Sequence, residues 1–408
     1  MNYFLEYNRY AHILGIIAIL CVAFLFSRNK KAISYTLILK CLSLQSILAF
    51  LMLKVPVVTY GVSCVADAIS MLYASANKGI EFLFGPLASW TGVDFIFAVK
   101  ILPVIVFFGA FMSVLFYFGI ISRAVQAISF VMRPFLGTSG AETLCAVGNS
   151  FLGQTEAPLL IRNYLKDMTK SELLVVMVSG MGTISAALLA IYSQMGVPAV
   201  HLLTSSIMAI PSTILIAKIL YPETEIPKTL SGARSDSDIK AGSLLDAISQ
   251  GTSDGLSLAL NVGAMLIAFL ALLDLSNTIL MSITGSVFGY SFGLETIFAT
   301  ICFPFAWFLG LSGQELVIGS QLIGTKVVIN EMIAYIGLVG SGLSERSTAL
   351  LTYALCGFSN FSCIGIQIGG IGALVPEKRS ELSELGLMAV LGGMLANLLS
   401  AMIVGLLI

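Results

Sequence analysis

The chain has 408 residues, 57% of them hydrophobic and only 11% charged, with a mean hydropathy of +0.97. Soluble domains carry about 25% charged residues, so two or three ordinary soluble cores do not fit this length, and most of the chain must face lipid or other buried helices. Net charge is −1, from 21 basic and 22 acidic residues with no basic stripe or acidic tail, which excludes nucleic acid as an expected partner.

From the N-terminus, the apolar run Ile13 to Phe26 is followed by Arg28, Lys30 and Lys31. A cleavable signal wants its positive charge before the run, so this reads as a retained first span. A span needs about 20 apolar residues, and eight are expected: 10–26, 33–53, 95–120, 172–194, 198–219, 256–278, 347–372 and 384–407. The one long polar stretch, 222–243, holds Pro227, Ser231, Gly232, Arg234, Ser235, Asp236 and Ser237 and reads as a cytoplasmic linker. The chain thus divides into N-terminal scaffold helices with an interfacial segment (1–94), a first repeat (95–221), a linker with an interfacial helix (222–255) and a second repeat (256–408).

Positive charge orients the spans. Arg28, Lys30, Lys31, Arg123, Arg133, Arg162, Lys166, Lys170, Lys228, Arg234, Lys240, Lys378 and Arg379 fall on one side, and only Arg9, Lys54, Lys78 and Arg346 on the other. Eight crossings then put both termini outside the cytoplasm.

Segments 140–167 and 313–340 are apolar but broken near their centres by Gly, Asn, Gln, Thr and Glu. Two re-entrant hairpins explain them, since irregular backbone at membrane depth is tolerated only in protein or against a watery cavity; two surface amphipathic segments are the alternative. An internal repeat favours hairpins. Residues 135–142 read F-L-G-T-S-G-A-E and residues 308–315 read F-L-G-L-S-G-Q-E, identical at six of eight positions. A G-x-x-x-x-G follows each copy, Gly148 to Gly153 and Gly319 to Gly324, and then Thr155-Glu156 or Asn330-Glu331. Three crossings separate the copies, so they are inverted, and paired interrupted segments in inverted halves point to a transporter site. The predicted fold is an all-α polytopic membrane protein of eight transmembrane helices and two re-entrant hairpins.

Within the first hairpin, Gln154, Thr155 and Glu156 are expected at the N-terminus of the returning half-helix, with Pro158 in its first turn, where they can cap it and still present side chains to a ligand. Glu156 and Glu331 are intramembrane carboxylates, functional by default because they are costly there. Pairing of Glu331 with Lys326 is the structural alternative. Thr183, 29 positions after Gln154, and Asn360, 29 after Glu331, lie in Gly- and Ser-rich runs suited to helix unwinding. Seven cysteines without a C-x-x-C pair, and only His12 and His201, leave no metal constellation.

G-Q-T-E-A-P-L-L from Gly153, H-L-L-T-S-S-I-M from His201, G-T-K-V-V-I-N-E from Gly324 and A-L-C-G-F-S-N-F-S-C-I-G-I-Q-I-G-G-I-G from Ala354 resemble the signatures of the concentrative nucleoside transporters, bacterial sodium-coupled type. The match is dense from Phe135 onward and weak over the first hundred residues. The resemblance implies a sodium-driven nucleoside importer, for example of uridine, in the inner (plasma) membrane. It implies a homotrimer in the lipid bilayer with no organic cofactor and no enzymatic activity. It puts Gln154, Thr155 and Glu156 against the nucleobase, Leu188 as an apolar wall, and Glu331 and Asn360 on the ribose, with Phe358 and Cys363 nearby. Sodium falls to Asn149, Thr183 and the carbonyls of Leu152 and Ile184. Two positions depart from the family pattern: Thr183, where Ser is common, and Cys363, where Ser is usual. A proton-coupled symporter is the closest rival; a channel or receptor would not need paired carboxylates on inverted hairpins, and no Ser/Lys, His/Glu or Asp/Asp set supports an intramembrane enzyme.

Overall fold

The computed structural model describes residues 8–88, 96–230, 232–233, 242–289 and 292–408, and is helical with no strand among them. The predicted linker residues Ser231, Arg234 to Ser237 and Lys240, and the predicted boundary at 94/95, lie outside the described residues.

Arg9–Leu25 (α1) and Tyr35–Lys54 (α2) are the first two predicted spans. The third helix, Pro56–Phe84 (α3), falls where an interfacial segment is expected, and 56–87 is by length and composition also apolar enough to cross a membrane. Within it, Ser63, Ser70 and Ser75 each return their hydroxyl to the carbonyl four residues back, at 3.1 Å. Their polarity is thus spent inside the helix.

After a turn at Phe97–Lys100 come Leu102–Tyr117 (α4) and Ile120–Leu136 (α5). Helix α5 is amphipathic: Val125, Ser129, Met132 and Leu136 are buried at helical spacing, while Arg123 and Phe130 face out. Gly140–Asn149 (α6) then folds against a short 3₁₀ arm, Ala157–Ile161. The arms touch closely enough that a Cβ on Gly148 would lie 2.7 Å from Leu160 Cδ1.

Predicted span 172–194 is two helices, Lys170–Gly182 (α7) and Ala186–Gln194 (α8), separated at Thr183 to Ser185. Ala199–Leu220 (α9) follows. Leu244–Phe288 (α10) is one continuous helix, so the predicted interfacial helix before 255 and the span after 256 are a single rod.

The element order then recurs: Leu294–Phe308 (α11), a hairpin of Gly313–Val328 (α12) and Glu331–Val339 (α13), a broken pair Glu345–Leu355 (α14) and Phe361–Leu374 (α15), and a long helix Arg379–Gly405 (α16). Predicted span 347–372 is therefore also interrupted, at Cys356 to Asn360.

The shared F-L-G-x-S-G-x-E has a local cause. Gly137 and Gly310 sit in left-handed backbone (φ 70° and 73°) just past α5 and α11, where other residues pay a Cβ penalty. Ser139 and Ser312 are the N-caps of α6 and α12. In the first copy Glu142 completes a capping box with Ser139. In the second, Glu315 reaches the next broken helix instead, accepting from Ser344 N–H at 2.9 Å and Ser347 Oγ at 2.7 Å.

The core runs through α7, α9 and α16: Ser171 to Gly182, Met208 to Leu220 and Leu395 to Gly405 are buried throughout. Apolar side chains of α3 and α10 point outward, Phe82 at 92% and Ile267 at 75% exposure, the inverse of a water-soluble surface. The chain is a multi-pass membrane protein.

Charges sort to two ends. At one, Glu384 pairs with Arg28 (2.9 Å) and Lys170 (2.7 Å), and Asp167 with Lys228 (2.7 Å). At the other, Arg346 Nη2 donates to His12 Nε2 (3.0 Å) and the Gly405 carbonyl (3.1 Å), and Arg9 Nη2 to the Ile408 carbonyl (3.0 Å).

Candidate functional site

The two helix breaks cross at the centre of the core. Gly357 has φ +97°, and a Cβ there would lie 2.7 Å from both the Gly182 carbonyl carbon and the Met181 carbonyl oxygen. Only glycine allows this approach without strain. Asn397 of α16 spans the crossing, donating from Nδ2 to the Gly182 carbonyl at 2.7 Å.

Around this crossing the hairpins deliver their polar residues. Glu331, 5% exposed at the start of α13, accepts from Tyr192 Oη on Oε1 (3.0 Å) and from Asn360 Nδ2 on Oε2 (3.2 Å). Asn360 is fixed as the N-cap of α15: its Oδ1 accepts from Cys363 N–H (3.1 Å) and Ser362 Oγ (2.6 Å), which turns its amide donors toward Glu331. Gln154 donates from Nε2 to Cys363 Sγ at 3.3 Å, while its buried Oε1 has no donor. Gln367, one turn past Cys363, donates to the Met177 carbonyl (3.0 Å) and likewise leaves Oε1 without a donor. Thr155 packs on α15, where a Cβ on Gly370 would meet its methyl at 2.7 Å.

The predicted capping of the returning arm is corrected. That arm is 3₁₀, Glu156 holds the N-cap position and no side chain caps it. Glu156 Oε2 instead accepts the Gly153 N–H at 3.3 Å, stiffening the tip. Leu188 and Phe358 are half-buried at α8 and the second break, and neither contacts Glu331 by a polar bond. Lys326 does not pair with Glu331 either: its ammonium goes to the carbonyls of Ala354 (3.0 Å) and Cys356 (2.9 Å) and to Asn397 Oδ1 (2.9 Å).

At the first break, Asn149 and Thr183 share one partner. Asn149 Nδ2 donates to Ser179 Oγ (2.8 Å), and Thr183 Oγ1 to the Ser179 carbonyl (2.8 Å). With its nitrogen held, Asn149 Oδ1 is buried and receives no hydrogen bond. An acceptor stranded in this way is costly unless a donor or cation meets it. Leu152 and Ile184 are buried, and the Ala186 N–H to Phe151 carbonyl bond (3.2 Å) ties this tip to the start of α8.

Tyr192, Ser179, Gln367 and Asn397 were not foreseen. A lone Tyr, Ser, Gln or Asn in an apolar helix reads as ordinary packing or interhelical bonding; only the fold brings them to the breaks.

Three family models tile the chain: the N-terminus of the Na+ dependent nucleoside transporters over 14–87, the nucleoside-recognition gate over 98–199, and the C-terminus of the same transporters over 201–405. An uncharacterized transporter of Haemophilus influenzae is 43% identical, with 97% of each chain covered. The nucleoside permease NupC of Helicobacter pylori is 38% identical, again over 97% of each. The solved structure of CNTnw in an inward-facing substrate-bound state superposes with a TM-score of 0.89 at 38% identity, covering 97% of both chains. Similarity of this extent, end to end, leaves one conclusion: the chain belongs to the concentrative nucleoside transporter family, and it is a transporter rather than an enzyme.

Proposed function

We propose that this protein imports nucleosides across the inner membrane by symport with sodium. The observation that carries the reading is the convergence of both hairpins on both helix breaks, with Gln154 bonded to Cys363 and Glu331 held by Tyr192 and Asn360. A nucleoside is uncharged yet rich in donors and acceptors. Gln154 can accept on its open Oε1 while its amide gives, which suits a base edge, with Thr155 and Glu156 beside it. Glu331 accepts from ribose hydroxyls and Asn360 donates to them. Leu188 and Phe358 supply the apolar walls.

Sodium is the coupling substrate in this reading. Asn149 Oδ1, Thr183 Oγ1 and the carbonyls of Leu152 and Ile184 form an all-oxygen donor set at the C-terminal end of α7, where the helix dipole favours a cation. Support comes from the stranded Asn149 oxygen.

The same reading makes 140–167 and 313–340 re-entrant hairpins of inverted repeats in an eight-span protein that assembles as a homotrimer, with both termini outside the cytoplasm. The base of the first hairpin is bonded to the end that carries Arg28 and Lys170, through Lys218 with Glu142 and Ser139 with Glu172. The base of the second is bonded beside Arg346 at the other end. Opposite entry is thereby supported.

Uptake of labelled uridine into proteoliposomes, with sodium and proton gradients imposed separately, tests the function. Accumulation driven by sodium alone is expected. Uptake that survives replacement of sodium by choline and collapses with the proton gradient would replace sodium by protons as the coupling ion.

A further inference from the structure

Helix α5 carries a second stripe besides its buried one. Arg123, Gln126, Ala127, Phe130 and Arg133 recur at helical spacing, next to the face formed by Val125, Ser129, Met132 and Leu136. This stripe lines a cavity of about 410 Å³, whose other wall includes Leu144 of α6 and Ala233. Close backbone packing builds that wall. Gly140 leaves no room for a Cβ against the Ala233 nitrogen, and a Cβ on Gly232 would lie 2.8 Å from Arg133 Nη1. The Gly140 N–H donates to the Thr229 carbonyl at 2.8 Å, which holds the start of the linker over α6.

Both arginines are short of partners. Among the described residues the Arg123 guanidinium has no hydrogen bond or ion pair, and Arg133 has one bond, from Nη2 to the Leu230 carbonyl at 3.3 Å. No Asp or Glu lines the cavity. By contrast, Arg28, Lys170, Lys218 and Lys228 at this end each hold a carboxylate. A guanidinium offers five donors in a planar fork that matches a phosphate. Ten residues put the two arginines about 15 Å apart along the helix axis, so their long stems can close on one headgroup from both sides.

The surface around the cavity points to the source of that phosphate. Phe130, Val131 and Phe135 stand out from α5, at 80%, 59% and 60% exposure. Exposed aromatic and aliphatic side chains beside unpaired arginines mark a helix lying in the membrane interface, with its rings among acyl chains and its charges at headgroup depth. A soluble anion would gain nothing from this apolar rim.

We propose that the cavity between α5 and α6 binds the phosphate headgroup of an anionic phospholipid, with Arg123 and Arg133 on the phosphate and the acyl chains against Phe130, Val131 and Phe135. The site lies at the base of the first hairpin, in the leaflet on the side of Arg28 and Lys170. Its occupation needs neither nucleoside nor sodium, so it stands or falls apart from the transport reading.

Purified full-length protein, stripped of lipid in a neutral detergent, tests this by native mass spectrometry and melting temperature as phosphatidylglycerol is added, with phosphatidylcholine as the uncharged comparison. Phosphatidylglycerol should stay bound and raise the melting temperature, and phosphatidylcholine should do neither. One basic side chain at an anionic lipid surface is worth about fivefold in affinity. Arg123→Gln and Arg133→Gln should each weaken phosphatidylglycerol by that factor, while Arg162→Gln, exposed and outside the cavity, leaves it unchanged. Arg123→Lys with Arg133→Lys should keep the preference for phosphatidylglycerol. Equal binding of the two lipids, or an equal loss in Arg162→Gln, would overturn the proposal. Inorganic phosphate that stabilises the protein as well as the lipid does, at the same concentration, would make this a soluble-anion site instead. Asp236 and Asp238 of the linker are the chain's own rival occupants; a severalfold gain in lipid affinity on replacing both with Asn would give the cavity to them. Should the Gln variants fail to fold, the natural protein still decides: its phosphatidylglycerol binding should weaken as salt rises, and binding indifferent to salt would overturn the assignment.

Discussion

Glu331 and Glu156 differ in how they are held, and the difference sets what their loss should do. Glu331 receives two side-chain donors, Tyr192 and Asn360, one on each oxygen. Glu156 receives the single backbone N–H of Gly153. Glu331→Gln keeps the shape but turns one acceptor into a donor facing donors. Losing a charge-assisted hydrogen bond costs about 1.5–3 kcal/mol, roughly one to two decades of affinity. Uridine binding should fall by that amount in Glu331→Gln, with a smaller fall in Glu156→Gln; normal transport by both would remove the carboxylates from the site. Tyr192→Phe deletes one donor and should weaken binding about two- to tenfold, the worth of a neutral hydrogen bond. Cys363 is a poor acceptor for Gln154, since a thiol sulfur accepts weakly. Cys363→Ser should therefore tighten uridine binding, and bound uridine should slow thiol labelling of Cys363; indifference in both would return this residue to packing. Glu331, Asn360 and Gln154 stand out in the sequence because polar groups at membrane depth are costly, whereas Asn149 entered through the resemblance to the family. Tyr192 and Ser179 do not stand out, because the same sequence pattern serves any apolar helix.

Among the elements, the interruptions of the apolar runs were legible, and their causes are local. Glycines and cap residues interrupt apolar runs at Gly148 to Gly153, Gly182 to Ser185, Ile329 to Asn330 and Gly357 to Asn360. The repeat F-L-G-x-S-G-x-E was read as a mark of inverted halves, and each copy is also a helix stop followed by a helix start. In α3 the hydroxyls of Ser63 and Ser70 are returned to the same helix, which lowers the cost of their polarity in an apolar setting. The crossing of α7 and α14 yields a sharp expectation. Gly357→Ala would place a methyl 2.7 Å from the Gly182 carbonyl carbon in left-handed backbone. The conformation alone costs about 1–2 kcal/mol and the overlap about 1–3 kcal/mol more. A lower melting temperature in detergent, with uridine binding lost or much weakened, is expected. Unchanged melting would mean the breaks do not touch.

For the whole molecule, charged residues gather at two ends with an apolar girdle between them. Hairpins anchored at opposite ends should be reachable from opposite sides. In a chain freed of the exposed Cys21 and Cys64, Arg133→Cys should react with an impermeant thiol reagent from the cytoplasmic side and Gln314→Cys from the outside. Labelling of both from one side would refute the inverted arrangement. The central claim is that nucleoside and sodium cross together, because the stranded oxygen of Asn149 and the Glu331–Asn360 pair sit at two breaks joined through Gly182, Gly357 and Asn397. The most direct measurement is reciprocal flux in proteoliposomes with equal sodium on both sides. An inward uridine gradient should drive net entry of labelled sodium, and Asn149→Ala should abolish that entry. Uridine entering without sodium would contradict the account.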